Sequence, residues 1–304
     1  MKLTFAISAI ALAAAGAAYA ECDTVSMSDV GWTDITTTTA TAKHVLEGLG
    51  YKVDVKVLSV PVTFASLESD DVDVFLGNWM PAQSGAINPY IESGEIEAVN
   101  VNLEGTKYTL AVPTYTWDAG LQSYADIHKF EEELDAKIYG IEPGNEGNGY
   151  LVGLAENNTH GLKNFEVVES SEQGMLAQVA RAYKKNEHVV FLGWEPHPMN
   201  ANFSLKYLPG GEDFFGGEGV VHTVTRKGYS EECPNVGKLL ANMDFSLEME
   251  NQIMGEILDE GADPDEATEA WLKANAGVLD TWLDGVTTKD GGDAVAAVKA
   301  HLGM

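Results

Sequence analysis

The sequence predicts an α/β protein of two lobes, each a unit in which strands and helices alternate. Two observations carry this. From Thr24 to Leu76, β-prone runs alternate with segments of helical apolar spacing, and the same rhythm returns from Lys137 to Leu192. An internal echo then links the units. Phe75-Leu76-Gly77-Asn78-Trp79-Met80-Pro81 in the first resembles Phe191-Leu192-Gly193-Trp194-Glu195-Pro196 in the second, each an apolar strand running into Gly, Trp and Pro.

In the first unit, Thr24 to Ser28 is a short strand and Asp29 to Asp34 a polar loop. Ile35 to Glu47 has helical spacing, Gly48 and Gly50 stop it, and Lys52 to Leu58 alternates as a strand. A helix from Pro61 to Ser69 and a strand from Val72 to Leu76 complete what reads as parallel α/β. The second unit runs through a strand at Lys137 to Ile141, a Gly-rich loop from Pro143 and a helix from Gly149. A strand at Phe165 to Val168, a helix at Glu172 to Lys184 and a strand at His188 to Leu192 follow.

Two Val-rich extended stretches, Lys107 to Pro113 and Gly219 to Arg226, are expected to cross between the lobes. That division assigns residues 21–109 and 223–304 to domain one and residues 110–222 to an inserted domain two. From Phe245 to Leu302 the pattern is helical, with Trp271 and Trp282 on apolar faces that pack against domain one. The acidic run from Asp259 to Glu266 has its Gly and Glu at the wrong places for a calcium loop and reads as a solvated helix start.

Among the 304 residues, 47 Asp and Glu face 18 Lys and Arg, for a formal charge of −29. Nucleic acid and anionic membrane surfaces are excluded as partners, because both are bound through clustered basic residues. Residues 1–20 form a secretory signal: Lys2, an Ala- and Leu-rich run, and Ala18-Tyr19-Ala20 as the cleavage site. The mature chain is therefore expected in the periplasm as a soluble monomer. Cys22 and Cys233 are the only cysteines, and in an oxidising compartment they are expected to form a disulfide. No metal or cofactor is expected, since the cysteines are isolated and the seven histidines lack H-E-x-x-H spacing.

In open parallel sheets, ligands bind beyond the carboxyl ends of strands. Four such loops carry Trp32 with Asp34, Trp79, Asn145 with its Gly-rich run, and Trp194. Tryptophan is a poor choice for a loop on propensity alone, so the three point to a ligand. Convergent Trp rings beside a carboxylate suit a quaternary ammonium, which offers no N–H donor and is held by cation-π attraction. A sugar site needs a denser fan of polar side chains, and a carboxylate ligand needs an arginine. The only arginines are Arg181, on an exposed helix face, and Arg226, just past a crossover.

The glycines of Gly144-Asn145-Glu146-Gly147-Asn148-Gly149 do not match a dinucleotide or P-loop fingerprint, so Asn145 is better placed to meet a neutral hydroxyl. No G-x-S-x-G occurs, and the chain is expected not to be an enzyme. A secreted hydrolase remains the competing reading, because 47 acidic residues supply many carboxylate pairs.

At these residues the chain resembles the periplasmic choline-binding proteins of ABC importers, within the betaine and choline substrate-binding protein family. The likeness rests on Gly31-Trp32-Thr33-Asp34, Gly77-Asn78-Trp79-Met80-Pro81, Tyr108, Gly144-Asn145 and Gly193-Trp194-Glu195-Pro196-His197-Pro198-Met199, and runs on to Trp282-Leu283-Asp284-Gly285-Val286. It implies a type II periplasmic-binding-protein fold with the ligand in the cleft between the lobes, and a membrane permease as partner. It also implies that Trp32, Trp79, Tyr108 and Trp194 box the trimethylammonium, that Asp34 complements the cation and that Asn145 holds the hydroxyl end. Only Tyr108 enters through the resemblance alone. Receptors for glycine betaine, carnitine and trimethylamine N-oxide also use aromatic boxes and stand as alternatives, with Glu195 either a second acidic contact or solvated.

Overall fold

The computed structural model describes residues 22–304, so the signal-peptide reading of residues 1–20 lies outside the described residues. Among the described residues nine strands form one sheet, eight of them along a single path. They are β1 Thr24–Asp29, β2 Lys52–Val57, β3 Val74–Met80, β4 Ile96–Pro113, β5 Lys137–Tyr139, β6 Glu166–Val168, β7 Phe191–Glu195, β8 Leu205–Tyr207 and β9 Gly219–Arg226. Their order is β2-β1-β3-β9-β4-β7-β5-β6, with β8 on β4.

β1 pairs in parallel with β2 and β3, and β5 in parallel with β6 and β7, as two βαβ units require. The centre departs from the parallel pattern. β9 runs antiparallel to both β3 and β4, and β4 antiparallel to β7 and β8. β4 is 18 residues long; it lies against β9 as far as Thr106 and against β7 from Lys107 on. One strand therefore belongs to both halves, whereas the sequence pattern shows only its second part, Lys107 to Pro113, as extended.

Helices cover the faces. The helix after β1, α1 (Thr33–Gly48), carries five buried threonines and lies against the helices Leu247–Leu258, Pro264–Ala274 and Ala294–His301. Buried hydroxyls in a helix need a partner; Thr41 and Thr38 donate back to the carbonyls of Thr37 and Ile35, at 2.8 and 3.2 Å. In the C-terminal region Trp282 is fully buried and donates to the Asp244 carbonyl, while Trp271 is half-buried against Gln252. Asp263 caps Pro264–Ala274 by accepting from the backbone of Asp265 and Glu266. Cys22 and Cys233 are joined in a disulfide with their Cα atoms 5.7 Å apart.

Two boundary differences matter for the site. β3 extends to Met80 and β7 to Glu195, so Trp79 and Trp194 stand on the last turns of strands rather than in the loops beyond them. The next residues are Pro81 and Pro196, which cannot donate to a ladder, so pairing stops there and not at the preceding glycines.

Candidate functional site

Where β3 ends beside β9 and β7 beside β4, two register pairs bring the aromatics together. Tyr108 lies opposite Trp194 in the β4–β7 ladder, and Trp79 opposite Val221 in the β3–β9 ladder. Tyr108 is the hub: its ring centre lies 6.3 Å from that of Trp79, 6.4 Å from Trp194 and 4.8 Å from Phe215, each edge to face. Trp32, the residue before α1, completes the group from the first unit. Trp32, Asp34, Trp79, Tyr108, Asn145 and Trp194 all line one cavity.

Asp34 sits in the first turn of α1 and is only 1% exposed. Its Oδ2 accepts from Trp79 Nε1 at 3.0 Å, while Oδ1 has no partner among the described residues. Burial, with Glu172 nearby, pushes its carboxyl up to about 8, outweighing the Trp79 hydrogen bond and the helix N-terminus. Burial thus favours the neutral form of Asp34 until a cation is bound, where the sequence reading has a charged one.

Asn145 caps the helix Glu146–Glu156. Its Oδ1 accepts from the backbones of Gly147 and Asn148 and from the Tyr108 hydroxyl at 2.9 Å, so any ligand contact falls to Nδ2. Gly147 is required at its place because a Cβ there would collide with the Tyr108 hydroxyl. The Tyr108 phenol is held well above its usual range, first by burial and then by Glu142 and Glu146, and stays a donor.

Four lining residues escape the sequence reading: Ala82, Gln83, Ile141 and Glu146. Glu146 stands out, because burial raises its carboxyl to about 7 and its Oε1 has no partner among the described residues. Gln83 accepts from Asn78, leaving its Nε2 unpartnered. Glu195 is not on the cavity; it is part-exposed and faces Lys107 Nζ at 3.3 Å. The arginines are elsewhere too, Arg181 exposed against Gln178 and Arg226 in ion pairs with Asp73 and Glu232.

Two further contacts join the units beside the cavity. Trp32 Nε1 donates to Glu142 Oε1 at 2.9 Å. Glu172 Oε2 accepts from both the backbone N–H and the hydroxyl of Thr33, at 2.9 and 3.0 Å. Its other oxygen accepts from His197 Nε2 at 2.8 Å, a role fixed because His197 Nδ1 accepts from the Met199 backbone. The first turn of α1 is thereby tied to the second unit through a buried pair.

A two-lobe α/β chain with one aromatic cavity between its halves has the build of a type II periplasmic binding protein. The family described as the substrate binding domain of the ABC-type glycine betaine transport system matches residues 23–274, and the chain belongs to it. It is similar to an ABC-transporter choline binding protein solved in complex with choline, at 60% identity and a TM-score of 0.91 over 93% of this chain and 99% of that one. The unliganded, semi-closed form of an ABC-transporter choline binding protein matches at 60% identity with a TM-score of 0.86, over 93% of this chain and all of that one. The glycine betaine/carnitine transport binding protein GbuC of Listeria monocytogenes is 34% identical over 128 residues, 42% of each chain.

Proposed function

We propose that this chain is the periplasmic receptor of an ABC importer that captures choline between its lobes. The observation that carries the reading is the cavity itself: four aromatic rings around a buried carboxylate with one unpartnered oxygen. Trp32, Trp79, Tyr108 and Trp194 present ring faces to the trimethylammonium, each worth roughly 0.5 to 2 kcal/mol once water is excluded. Asp34 supplies the matching charge by releasing its proton to solvent, and Asn145 Nδ2 meets the hydroxyl. The likeness to a choline-bound receptor over 93% of the chain supports the same ligand.

The lobes are residues 21–109 with 223–304, and 110–222, joined through β4 and β9. Lobe closure buries ligand and rings together, and the closed form is the one a membrane permease recognises. The chain reaches the periplasm behind signal residues 1–20, works as a monomer without nucleic acid, and acts by binding rather than turnover. Among the described residues no helix is long and apolar enough to cross a membrane.

Glycine betaine is the second reading, favoured by the unpartnered Gln83 Nε2, which could donate to a carboxylate. Calorimetry against choline, acetylcholine, glycine betaine, carnitine and trimethylamine N-oxide tests both. Choline should bind tightest; a preference for glycine betaine would overturn the assignment, and turnover of any of them would favour a hydrolase.

A further inference from the structure

The far end of α1 meets the helix Ala294–His301 so closely that a Cβ on Gly48 would lie 2.9 Å from Cα of Val298. That approach brings His301 beside His44 and Glu47, which stand three residues apart on one face of α1. The two imidazole ring centres are 6.3 Å apart, and His301 Nε2 lies 4.0 Å from Glu47 Oε2. One nitrogen from each histidine and one oxygen from Glu47 all fall within 4.8 Å of one another.

The state of His44 is legible from its partner. Its Nε2 lies 3.0 Å from the backbone oxygen of Asp265, and a carbonyl only accepts, so Nε2 carries the hydrogen and Nδ1 the lone pair. Nδ1 is buried and has no hydrogen-bond partner among the described residues, in a residue 8% exposed. An imidazole oriented by one N–H on a backbone carbonyl, with its other nitrogen unspent, is how metal-ligating histidines are held. Glu269, ion-paired with Lys273 at 2.7 Å, adds negative charge near both rings.

We propose that His44, Glu47 and His301 form a three-ligand site for a divalent transition ion of the zinc class, which pins the carboxy-terminal helix to α1. Two imidazoles and one carboxylate suit Zn²⁺, with water in the fourth position, whereas Ca²⁺ and Mg²⁺ demand more oxygen ligands. The ligand atoms must draw in to roughly 2 Å from the ion, and the Glu47 and His301 side chains, 33% and 36% exposed, have room to swing. Ten residues of α1 separate His44 from Asp34, about 15 Å of helix, so the ion is remote from the aromatic cavity.

The test is titration of tag-free, chelator-stripped protein with zinc sulfate at pH 7.5, followed by calorimetry and by melting temperature. One Zn²⁺ per chain should bind, the melting temperature should rise with it, and choline heats should stay unchanged. His301→Ala, at an exposed position near the chain's end, should weaken Zn²⁺ at least about tenfold with little change in the melting temperature of the metal-free protein. Absence of saturable binding would overturn the site, as would binding that His301→Ala leaves unchanged, since Zn²⁺ would then sit on other acidic groups.

Discussion

Trp79 and Trp194 each place an indole beside Tyr108, one from β3 and one from β7. Trp79→Ala or Trp194→Ala should weaken choline at least about tenfold, because each removes a desolvated ring worth about 1 to 2 kcal/mol; near-native affinity in both would remove the box from the mechanism. Asp34 makes a sharper demand. Its carboxyl, pushed up to about 8, lies near Glu172 and Glu250, and burial holds Glu250 well above the usual range too. A bound cation favours the carboxylate, so the pKa of Asp34 must fall on binding, and below pH 8 each choline expels a proton. The sign follows: affinity rises with pH up to about 8, by as much as tenfold per unit, and levels off above. Calorimetry at pH 7 in two buffers of different ionisation heat reads the proton directly, and Asp34→Asn should abolish the difference. Equal heats in both buffers for the unaltered protein, with flat affinity from pH 6 to 8, would show that Asp34 is already ionised.

At the scale of elements, the two βαβ units were legible because parallel strands between helices write a local pattern: an apolar run, a Gly or Asn, then a 3.6-residue period. The central β3–β9–β4–β7 pairing was not, since antiparallel register between strands eighty or more residues apart leaves no local trace. The same division runs through the site. Trp32, Trp79 and Trp194 stand next to Gly and Pro punctuation and were visible, whereas Tyr108 owes its place to the Trp194 register and appeared only through family likeness. Glu146 was hidden among 47 acidic residues, and His44 with His301 could not be paired before the helices were packed. Glu172 belongs with these hidden groups. It links the helix Glu172–Lys185 to the first turn of α1, accepting from Thr33 twice and from His197 once. Glu172→Gln keeps the size but replaces one acceptor oxygen by a donor that faces either Thr33 N–H or His197 N–H. Closure should suffer, and choline affinity should fall about tenfold with little loss of melting temperature. A fall in melting temperature with unchanged affinity would mean that Glu172 serves folding rather than closure.

For the molecule as a whole, the Cys22–Cys233 bridge closes a loop of 211 residues that contains the entire inserted lobe. Cys22 precedes β1 and Cys233 opens the helix Pro234–Asn242 just after β9, so both anchors lie in proposed domain one and the bridge does not span the cleft. Its effect should therefore be on stability and not on capture. In the chain-entropy account a loop of this size contributes up to about 4 to 5 kcal/mol by restricting the unfolded chain. For a protein of this size each kcal/mol moves the melting temperature by roughly 2 to 4 °C, which sets the scale of the loss on reduction at about 10 °C. Choline affinity of the reduced, still folded protein should change by less than about threefold, because neither the rings nor the Glu172 contact depends on the bridge. Mass spectrometry of non-reduced protein should find the two cysteines linked within one chain, and two alkylatable thiols would refute the bond. Should reduction instead leave the melting temperature in place and weaken choline tenfold, the bridge would be restraining lobe motion, and the boundary drawn at residues 109 and 223 would have to move.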